Sequence, residues 1–230
     1  MDSHDLSSES AIRRGMSKRA FDIEKNSLMI IDLEISDHDY DRREWEIVRR
    51  VIHATADFDF ATTARIMMHK DAIDSAFDAF KRKCTIVADV DMVLSGLNKK
   101  SILGLGLRAV CHVSDSELIE LSGRLNKTRS EMAMRYAATE MNEGIVVIGN
   151  APTALFETIK MIREQATRPA LVIGVPVGFV SARESKEELS RTEIPFITNK
   201  GRKGGSSVAS SIMNALMLLF TEQRRTENLA

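Results

Sequence analysis

The sequence has few cysteines, nearly balanced charges and no long apolar run. Cys84 and Cys111 are the two cysteines in 230 residues, and both lie in β-like apolar runs, which indicates buried thiols in a reducing compartment rather than a secreted disulfide scaffold. Lys and Arg number 32 against 33 Asp and Glu, so the overall charge favours neither nucleic acid nor an anionic membrane as a partner. No apolar run is long enough to span a bilayer, and residues 1–16 lack the apolar segment of a signal peptide. These absences predict a soluble cytoplasmic protein.

A single domain is the simplest interpretation of the chain. Its length allows a substantial buried core, and no Gly/Ser/Pro-rich linker, charge block or internal repeat divides it. We therefore expect one domain over residues 1–230, ordered from about residue 20 to about residue 220. The polar tails, residues 1–16 and 221–230, are expected to be frayed.

Short β-like runs alternate with helical patterns between these tails. The candidate strands, of which the last four are almost continuously apolar, are Thr62–Met67, Thr85–Ala88, Ala109–Val113, Ile145–Ile148 and Ala170–Ile173. Continuous apolar runs are typical of parallel strands covered on both faces. The alternation predicts an α/β fold of three layers, α/β/α, around a flavodoxin-like parallel sheet of about five strands. Ligands of such sheets bind beyond the carboxyl ends of the strands.

Unusual segments follow three of the predicted strands at that edge. They are Asp89–Val93, Gly149–Ala154 and Gly174–Val180. Pro152 falls in the first turn of a predicted helix, so we expect free backbone N–H groups to point toward the sheet edge. Glycine permits close approach of a backbone to a ligand, although Gly and Pro are also ordinary residues of such turns. We expect these loops to converge on one ligand site.

Basic residues stand at the start of two predicted helices. Arg129 follows Thr128 in a capping-box pattern, and residues 199–207 contain three cations and no acid ahead of the last helix. Cations, glycines and free N–H groups together would bind a multiply anionic ligand, whereas the alternative is a solvated basic loop. Neither this run nor Gly104-Leu105-Gly106 matches a nucleotide-binding fingerprint.

His53 is the candidate acid/base residue. A helix is predicted over residues 37–54, and His53 lies in its last turn, ahead of Asp57 and Asp59. A helix C-terminus and nearby carboxylates both favour the imidazolium form, which suits a proton donor near neutral pH. The alternative is a histidine satisfied by a backbone carbonyl at a helix end. The histidines and cysteines show no metal-ligand spacing, so no metal site is predicted.

Seven groups of residues match one known family in order and spacing. They are Ile23–Ser27, Arg50–Asp57, Asp89–Val93, Thr128–Ser130 with Ala133–Arg135, Gly149–Glu157, Pro176–Val180 with Glu184–Lys186, and Gly201–Ser206. The chain resembles the precorrin-8X methylmutases of cobalamin biosynthesis, called cobalt-precorrin-8 methylmutases in the anaerobic route. The resemblance covers about residues 20 to 220.

The resemblance implies an isomerase that moves a methyl group from C-11 to C-12 of a contracted tetrapyrrole. This formal 1,5-sigmatropic shift gives hydrogenobyrinic acid, or its cobalt form, cobyrinic acid, on the route to vitamin B12. It further implies that no cofactor is consumed, that the substrate is a small tetrapyrrole with several carboxylates, and that the protein is a homodimer with the substrate site near the subunit interface.

Site residues come partly from the resemblance and partly from the anion argument. His53 matches the residue taken as proton donor and acceptor, and Ser27 and Arg129 match positions that contact the substrate. Asn150, Arg202 and Lys203 are added as substrate-binding residues because their loops suit an anionic ligand. Asp89 and Asp91 are expected to orient neighbours or to cap a helix.

Two other functions are compatible with the same residues. A non-catalytic corrinoid carrier would share the pocket, but binding would survive the loss of His53, whereas catalysis would not. A flavodoxin-like enzyme acting on a phosphorylated metabolite would have no affinity for tetrapyrroles. Leu28, Ser181 and Arg183 depart from the family pattern, and these departures bear on fine substrate preference. Whether the natural substrate contains cobalt is left open by the sequence.

Overall fold

The structure is a computed structural model that describes residues 17–227. The predicted tail at residues 1–16, and residues 228–230 of the predicted C-terminal tail, lie outside that range. The chain divides into two compact units between Asp39 and Tyr40. The first unit contains one long helix, α1 (Lys18–Glu34), which begins where the Ser17 hydroxyl accepts a hydrogen bond from the Ala20 N–H at 3.2 Å.

One stripe of α1 carries exposed apolar side chains. Its members, which recur at helical spacing, are Ile23, Met29, Ile30 and Leu33. Leu28 and Ile31, on the other side of the helix, are buried. A helix that is apolar on two sides has more hydrophobic surface than one contact covers.

The second unit alternates strands and helices. The strands are β1 (Ile66–Met68), β2 (Thr85–Ala88), β3 (Arg108–Cys111), β4 (Ile145–Ile148), β5 (Leu171–Gly174) and β6 (Phe196–Asn199). The helices are α2 (Arg42–Thr55), α3 (Ala72–Lys81), α4 (Asp91–Gly96), α5 (Lys99–Leu105), α6 (Ser116–Arg124), α7 (Arg129–Tyr136), α8 (Ala138–Met141), α9 (Pro152–Arg163), α10 (Ala182–Leu189) and α11 (Ser206–Glu227). A short 3-10 turn, Phe58–Phe60, lies between α2 and β1.

The strands form one sheet in the order β1-β6-β5-β4-β2-β3. Strands β2 to β6 are parallel, and their order is that of flavodoxin-like sheets, so the predicted fold class is confirmed. β1 pairs antiparallel with β6, with Ile66 opposite Asn199. The edge at which β2 to β6 end is called the carboxyl edge below.

β1 and β6 differ most from the prediction, while β3 and β5 are shifted at their ends by one or two residues. β6 was not predicted, because half of its four residues are polar, yet Thr198 and Asn199 are both buried. The Thr198 hydroxyl donates to the Gly174 carbonyl at 2.5 Å, which satisfies it inside the sheet. β1 is shorter than the predicted run Thr62–Met67, because the chain up to Ala64 forms turns.

Helices cover both faces of the sheet. One face packs in a cluster with α7, α9 and α10, to which the sheet contributes Val87, Val146, Ile148, Val172 and Phe196. The alternate strand residues, such as Ile86 and Ile173, are also buried and face the other layer, where α11 contacts α2, α4, β4 and β5. The three-layer arrangement explains why the strands read as continuous apolar runs.

The last helix is longer than predicted. α11 continues to Glu227, so residues 221–227 of the predicted tail are helical. Arg224 and Arg225 lie in its last turn, where cations stabilise a helix end, and Gln223 Nε2 donates to Glu227 at 2.9 Å. Within residues 17–227, no helix is long and apolar enough to cross a membrane.

Candidate active site

Helix α2 presents His53 in its last turn, as predicted. The helix ends at Ala56, which adopts a left-handed conformation with φ of 52°, and the chain turns at once into Asp57. The His53 side chain is exposed and has no hydrogen-bond partner among the described residues. The alternative of a histidine satisfied by a backbone carbonyl is therefore not what the structure shows.

The start of α2 is fixed by a capping box. The Asp41 carboxylate accepts hydrogen bonds from the N–H groups of Arg43 at 2.7 Å and Glu44 at 2.8 Å, and Glu44 accepts in return from the Asp41 N–H. This box places the first helical residue at Arg42, whereas the helix was predicted to begin at residue 37. The buried side chains of α2 include Val48 and Ile52, which anchor the helix that presents His53.

Lys203 links the segment after His53 to the basic loop, defined as residues 199–205. Its ammonium nitrogen lies 2.6 Å from Asp57 Oδ2 and 2.7 Å from Asp59 Oδ2. The two carboxylates raise the pKa of Lys203, and Lys203 in turn lowers the pKa of Asp59. Lys203 was predicted to bind substrate; in the structure its charge already pairs with carboxylates, and the pairing fixes where the loop lies relative to the end of α2.

The loops after β4, β5 and β6 contact one another, whereas the sequence prediction named the loops after β2, β4 and β5. The Gly178 N–H donates to the Arg202 carbonyl at 3.1 Å, and the Gly205 N–H donates to the Val175 carbonyl at 2.9 Å. Gly204 has φ of 150°, and a Cβ there would lie 2.2 Å from the Val175 oxygen, so only glycine fits. These contacts bring Arg202 and Lys203 to the same part of the carboxyl edge.

Lys186, on α10, holds the basic loop through two hydrogen bonds. Its ammonium group donates to the Lys203 carbonyl at 2.6 Å and to Asn199 Oδ1 at 3.2 Å. The Asn199 side-chain amide donates to the carbonyls of Lys200 and Lys203, both at 2.9 Å. The sequence prediction assigned no role to Lys186 or Asn199, because a lysine and an asparagine give no sign in sequence that they are buried together.

Asp89 occupies backbone N–H groups that were expected to be free for a ligand. Its buried carboxylate accepts from Gly149 at 3.1 Å and from Asn150 and Ala151 at 2.8 Å each. That expectation is therefore wrong for these three groups: Asp89 orients the loop, and the Asn150 side chain remains exposed. Burial raises the pKa of Asp89, against the opposing effect of these hydrogen bonds.

Arg129 is the first residue of α7 and is exposed. The predicted capping box is present, since the Thr128 hydroxyl accepts from the Glu131 N–H at 3.2 Å and Glu131 accepts from the Thr128 N–H at 2.8 Å. The Thr128 hydroxyl also lies 2.9 Å from the Thr153 hydroxyl in the first turn of α9. Through this contact Arg129 lies near the loop that contains Asn150.

Ser27 lies in α1, in the first of the two units, and its hydroxyl donates to the Ile23 carbonyl at 2.9 Å. The other five predicted residues lie in the second unit. Contacts of their loops bring Asn150, Arg202 and Lys203 together, and His53 and Arg129 are connected to this group through Asp57 and Thr128.

Apolar side chains accompany the cations at the carboxyl edge. Phe179 and Val180 follow β5 and are 90% and 82% exposed. Exposed side chains of this size next to cationic groups suit a ligand with an apolar body and anionic arms. Within residues 17–227, no three His, Cys, Asp or Glu side chains are grouped as a metal site would require.

The fold and the site define a flavodoxin-like α/β protein with an exposed histidine, a cationic loop and exposed apolar side chains at the carboxyl edge of its sheet. The sequence matches the family model for precorrin-8X methylmutase over residues 22–219. The chain belongs to the precorrin-8X methylmutase family, whose members are isomerases.

Individual relatives agree with this assignment. The chain is 48% identical to a cobalt-precorrin-8 methylmutase of Leptospira interrogans, covering 87% of this chain and 94% of that protein. It is 33% identical to a precorrin-8X methylmutase of Sinorhizobium, covering 84% of this chain and 92% of that protein. The crystal structure of a precorrin-8x methyl mutase from Thermus thermophilus superimposes with a TM-score of 0.81 at 35% identity, covering 87% of this chain and 96% of that one.

Proposed function

We propose that this protein is a methylmutase that moves a methyl group from C-11 to C-12 of a precorrin-8 macrocycle in cobalamin biosynthesis. The observation that carries the proposal is the attachment of the His53 helix to the basic loop through Lys203 and Asp57. A proton donor and a receptor for carboxylates thereby lie at one edge of the sheet, where α/β proteins bind ligands.

His53 is the catalytic residue in this proposal. Its imidazolium donates a proton to the macrocycle, the methyl group leaves C-11 with its bonding electron pair and forms a bond to C-12, and the imidazole then takes a proton back. The C-11–methyl bond breaks as the C-12–methyl bond forms, so substrate and product are isomers. The reaction therefore needs no oxidant, reductant or group donor, in keeping with the expected absence of a cofactor.

Substrate binding is assigned to the residues that the sequence predicted for it. Arg129 and Arg202 pair with the carboxylate arms, and Asn150 and Ser27 donate or accept hydrogen bonds. Lys203 acts by holding the basic loop to Asp57. The exposed side chains of Phe179 and Val180 suit the apolar face of the macrocycle.

Cobalt-precorrin-8 is the substrate that we propose. Two relatives at 48% and 46% identity, from Leptospira interrogans and Priestia megaterium, are named cobalt-precorrin-8 methylmutases. The Sinorhizobium relative named for the metal-free substrate is 33% identical. Assaying the protein with each substrate tests this choice, and faster turnover of the metal-free form would contradict it.

A cytoplasmic homodimer, with the site near the subunit interface, is the assembly that we propose. Support comes from the exposed apolar stripe of α1, since apolar surface of this kind is commonly covered by a partner. Light scattering coupled to size exclusion should give twice the 25.7 kDa of the chain. Ile30→Glu should shift the protein toward a monomer and Glu34→Lys, on an exposed polar position of the same helix, should not.

The deciding experiment follows the visible absorption spectrum when wild-type and His53→Ala protein are mixed with precorrin-8, in both its cobalt and metal-free forms. Wild type should produce the corrin chromophore, while His53→Ala should bind the substrate without converting it. His69→Ala is a matched control, since His69 follows β1 at the opposite edge of the sheet, and it should retain turnover. Binding without conversion by wild type would support a carrier, and no binding would overturn the proposal.

A further inference from the structure

Lys186 is a lysine buried without a carboxylate partner. It is 1% exposed, and its ammonium group donates to the Lys203 carbonyl and to Asn199 Oδ1. Among residues 17–227 no Asp or Glu forms an ion pair with it. A buried charge without a counter-charge is unfavourable, so a lysine at this position is unexpected unless its charge is used.

No carboxylate of its own helix or of the basic loop compensates the charge of Lys186. On its own helix, Arg183 pairs with Glu187 at 2.6 Å. On the basic loop, Lys200 and Arg202 are cations, and Lys203 pairs with Asp57 and Asp59. Burial alone lowers the pKa of Lys186, to about 8, with no compensation from a neighbouring acid.

The Lys203–Gly204 peptide connects Lys186 to the surface of the loop. The carbonyl oxygen of this peptide accepts the ammonium hydrogen bond at 2.6 Å. In a trans peptide the N–H group points opposite to the carbonyl, so the Gly204 N–H points away from Lys186. No acceptor among the described residues takes this N–H, and Gly204 is not fully buried.

A charged donor on the carbonyl strengthens the N–H at the other end of the same peptide. Hydrogen bonds in series polarise one another, so the Gly204 N–H becomes a better donor while Lys186 is protonated. Gly204 also cannot bear a side chain, because a Cβ would collide with the Val175 oxygen. The peptide therefore has a fixed orientation and an unused donor.

We propose that Lys186 is a positioning residue for substrate binding, whose buried ammonium group orients and polarises the Lys203–Gly204 peptide so that the Gly204 N–H binds a carboxylate arm of the substrate. This inference rests on the proposed function, because it requires a substrate with carboxylate arms. The substrate supplies the negative charge that Lys186 lacks in the free protein, acting across one peptide group.

Affinity for the corrin should then depend on the ionisation of Lys186. Binding a carboxylate favours the ammonium form, so affinity is fully present below the pKa of about 8 and falls as the pH rises through and above it. The carboxylates of the ligand are ionised throughout this range. The thiols of buried Cys84 and half-buried Cys111 do not titrate there, because desolvation raises their pKa values to about 11 and about 12.

The test titrates wild type, Lys186→Met and Lys186→Gln with cobyrinic acid and follows its absorption from about pH 6.5 to about pH 9.5. Lys186→Met should raise the dissociation constant at pH 7 by about ten- to a hundredfold, the effect of losing a charge-assisted hydrogen bond. Lys186→Gln keeps a donor for the Lys203 carbonyl without the charge and should give an intermediate value. Both variants should lose the dependence on pH, and in turnover the loss should fall on KM and leave kcat within a few-fold.

Lys100→Met serves as the control, because Lys100 is an exposed lysine of α5 away from the basic loop. It should bind as wild type does and keep the dependence on pH. Wild-type affinity that is flat in pH, or Lys186 variants that bind like wild type, would overturn the inference while leaving the proposed function intact. Failure of wild type itself to bind cobyrinic acid would instead overturn the proposed function. Circular dichroism and the urea midpoint show whether each variant folds. If Lys186→Met does not fold, Lys186→Gln alone decides.

Discussion

The ammonium nitrogen of Lys203 lies 2.6 Å from the carboxylate of Asp57, although the two residues are 146 positions apart in the sequence. Asp57 follows the end of α2 closely, so this ion pair fixes the distance between the His53 helix and the basic loop. Both side chains are partly exposed, which limits what such a pair adds to stability. Its main effect is to position the His53 helix relative to the basic loop.

Replacing Lys203 by Met should therefore impair catalysis more than it impairs folding. We expect kcat/KM for precorrin-8 to fall by about tenfold or more, as for the loss of a charge-assisted hydrogen bond that orients a site. Lys200→Met removes the same charge from the same loop without breaking the link to Asp57, and it should reduce kcat/KM less. Equal losses in steady-state assays of the two variants would show that only the charge of the loop matters.

Asp89 should be important for stability. Asp89→Ala leaves the N–H groups of Gly149, Asn150 and Ala151 without their acceptor, and we expect the free energy of unfolding to fall by about 2 to 4 kcal/mol. Asp91→Ala is the control, since Asp91 is exposed and its carboxylate accepts from the Ser114 hydroxyl rather than from a set of backbone N–H groups. Urea unfolding measures both, and similar losses for the two variants would contradict the role given to Asp89.

Gly204 and Gly123 should respond in opposite directions to replacement by alanine. At Gly204 the new Cβ collides with the Val175 carbonyl and the backbone is in a conformation that alanine disfavours, so stability should fall by about 2 kcal/mol or more. At Gly123, in α6, a Cβ meets nothing within 4 Å, and alanine should stabilise by about 0.5 to 1 kcal/mol. Thermal or urea unfolding measures the change in stability of both variants. Stabilisation by Gly204→Ala would show that the loop can move.

His112 lies between two carboxylates at the end of β3. Its Nδ1 is 2.9 Å from Asp115 Oδ2, and its Nε2 is 2.7 Å from Glu140 Oε2. Burial opposes ionisation, but the hydrogen bonds and charges of Glu140 and Asp115 raise the pKa of His112 above its ordinary value of 6.5. Burial raises the pKa of Glu140, but its hydrogen bonds and charge interactions with His112 and Arg108 outweigh burial and lower the pKa.

Stability should depend on pH through this cluster. A raised histidine pKa stabilises the folded protein fully below the unfolded value of 6.5, and this contribution is lost as the pH rises through the folded value. The lowered pKa of Glu140 acts in the opposite sense, and its contribution is lost as the pH falls below the ordinary carboxyl range. His112→Gln should flatten the decline in urea midpoint from about pH 6 to about pH 9. His69→Gln should leave that decline in place, and an unchanged decline in His112→Gln would contradict the prediction.

The sequence predicts those features that depend on local pattern. Continuous apolar runs predicted β2 to β5, and the sequence placed His53 in the last turn of a helix, because burial periodicity is a property of neighbouring residues. Likewise the capping box at Thr128 is a four-residue signal.

Features that depend on distant residues were not predictable in this way. β6 was missed because Thr198 and Asn199 are polar, and only the neighbouring strand and Lys186 explain their burial. The N–H groups after β4 looked free because their acceptor, Asp89, is 60 positions or more away. Lys203 looked available for a ligand for the same reason, since its aspartates belong to a different part of the chain.

The order of the elements in the chain determines when Asp57 and Lys203 can pair during protein synthesis. Because β1 runs against the other strands, the segment ahead of it reaches the carboxyl edge, and the Lys200 N–H donates to the Arg65 carbonyl there. Asp57 is made early, and Lys203 leaves the ribosome only after β6 has been translated. The ion pair that ties the end of α2 to the basic loop therefore cannot form in a nascent chain until its last strand has been made.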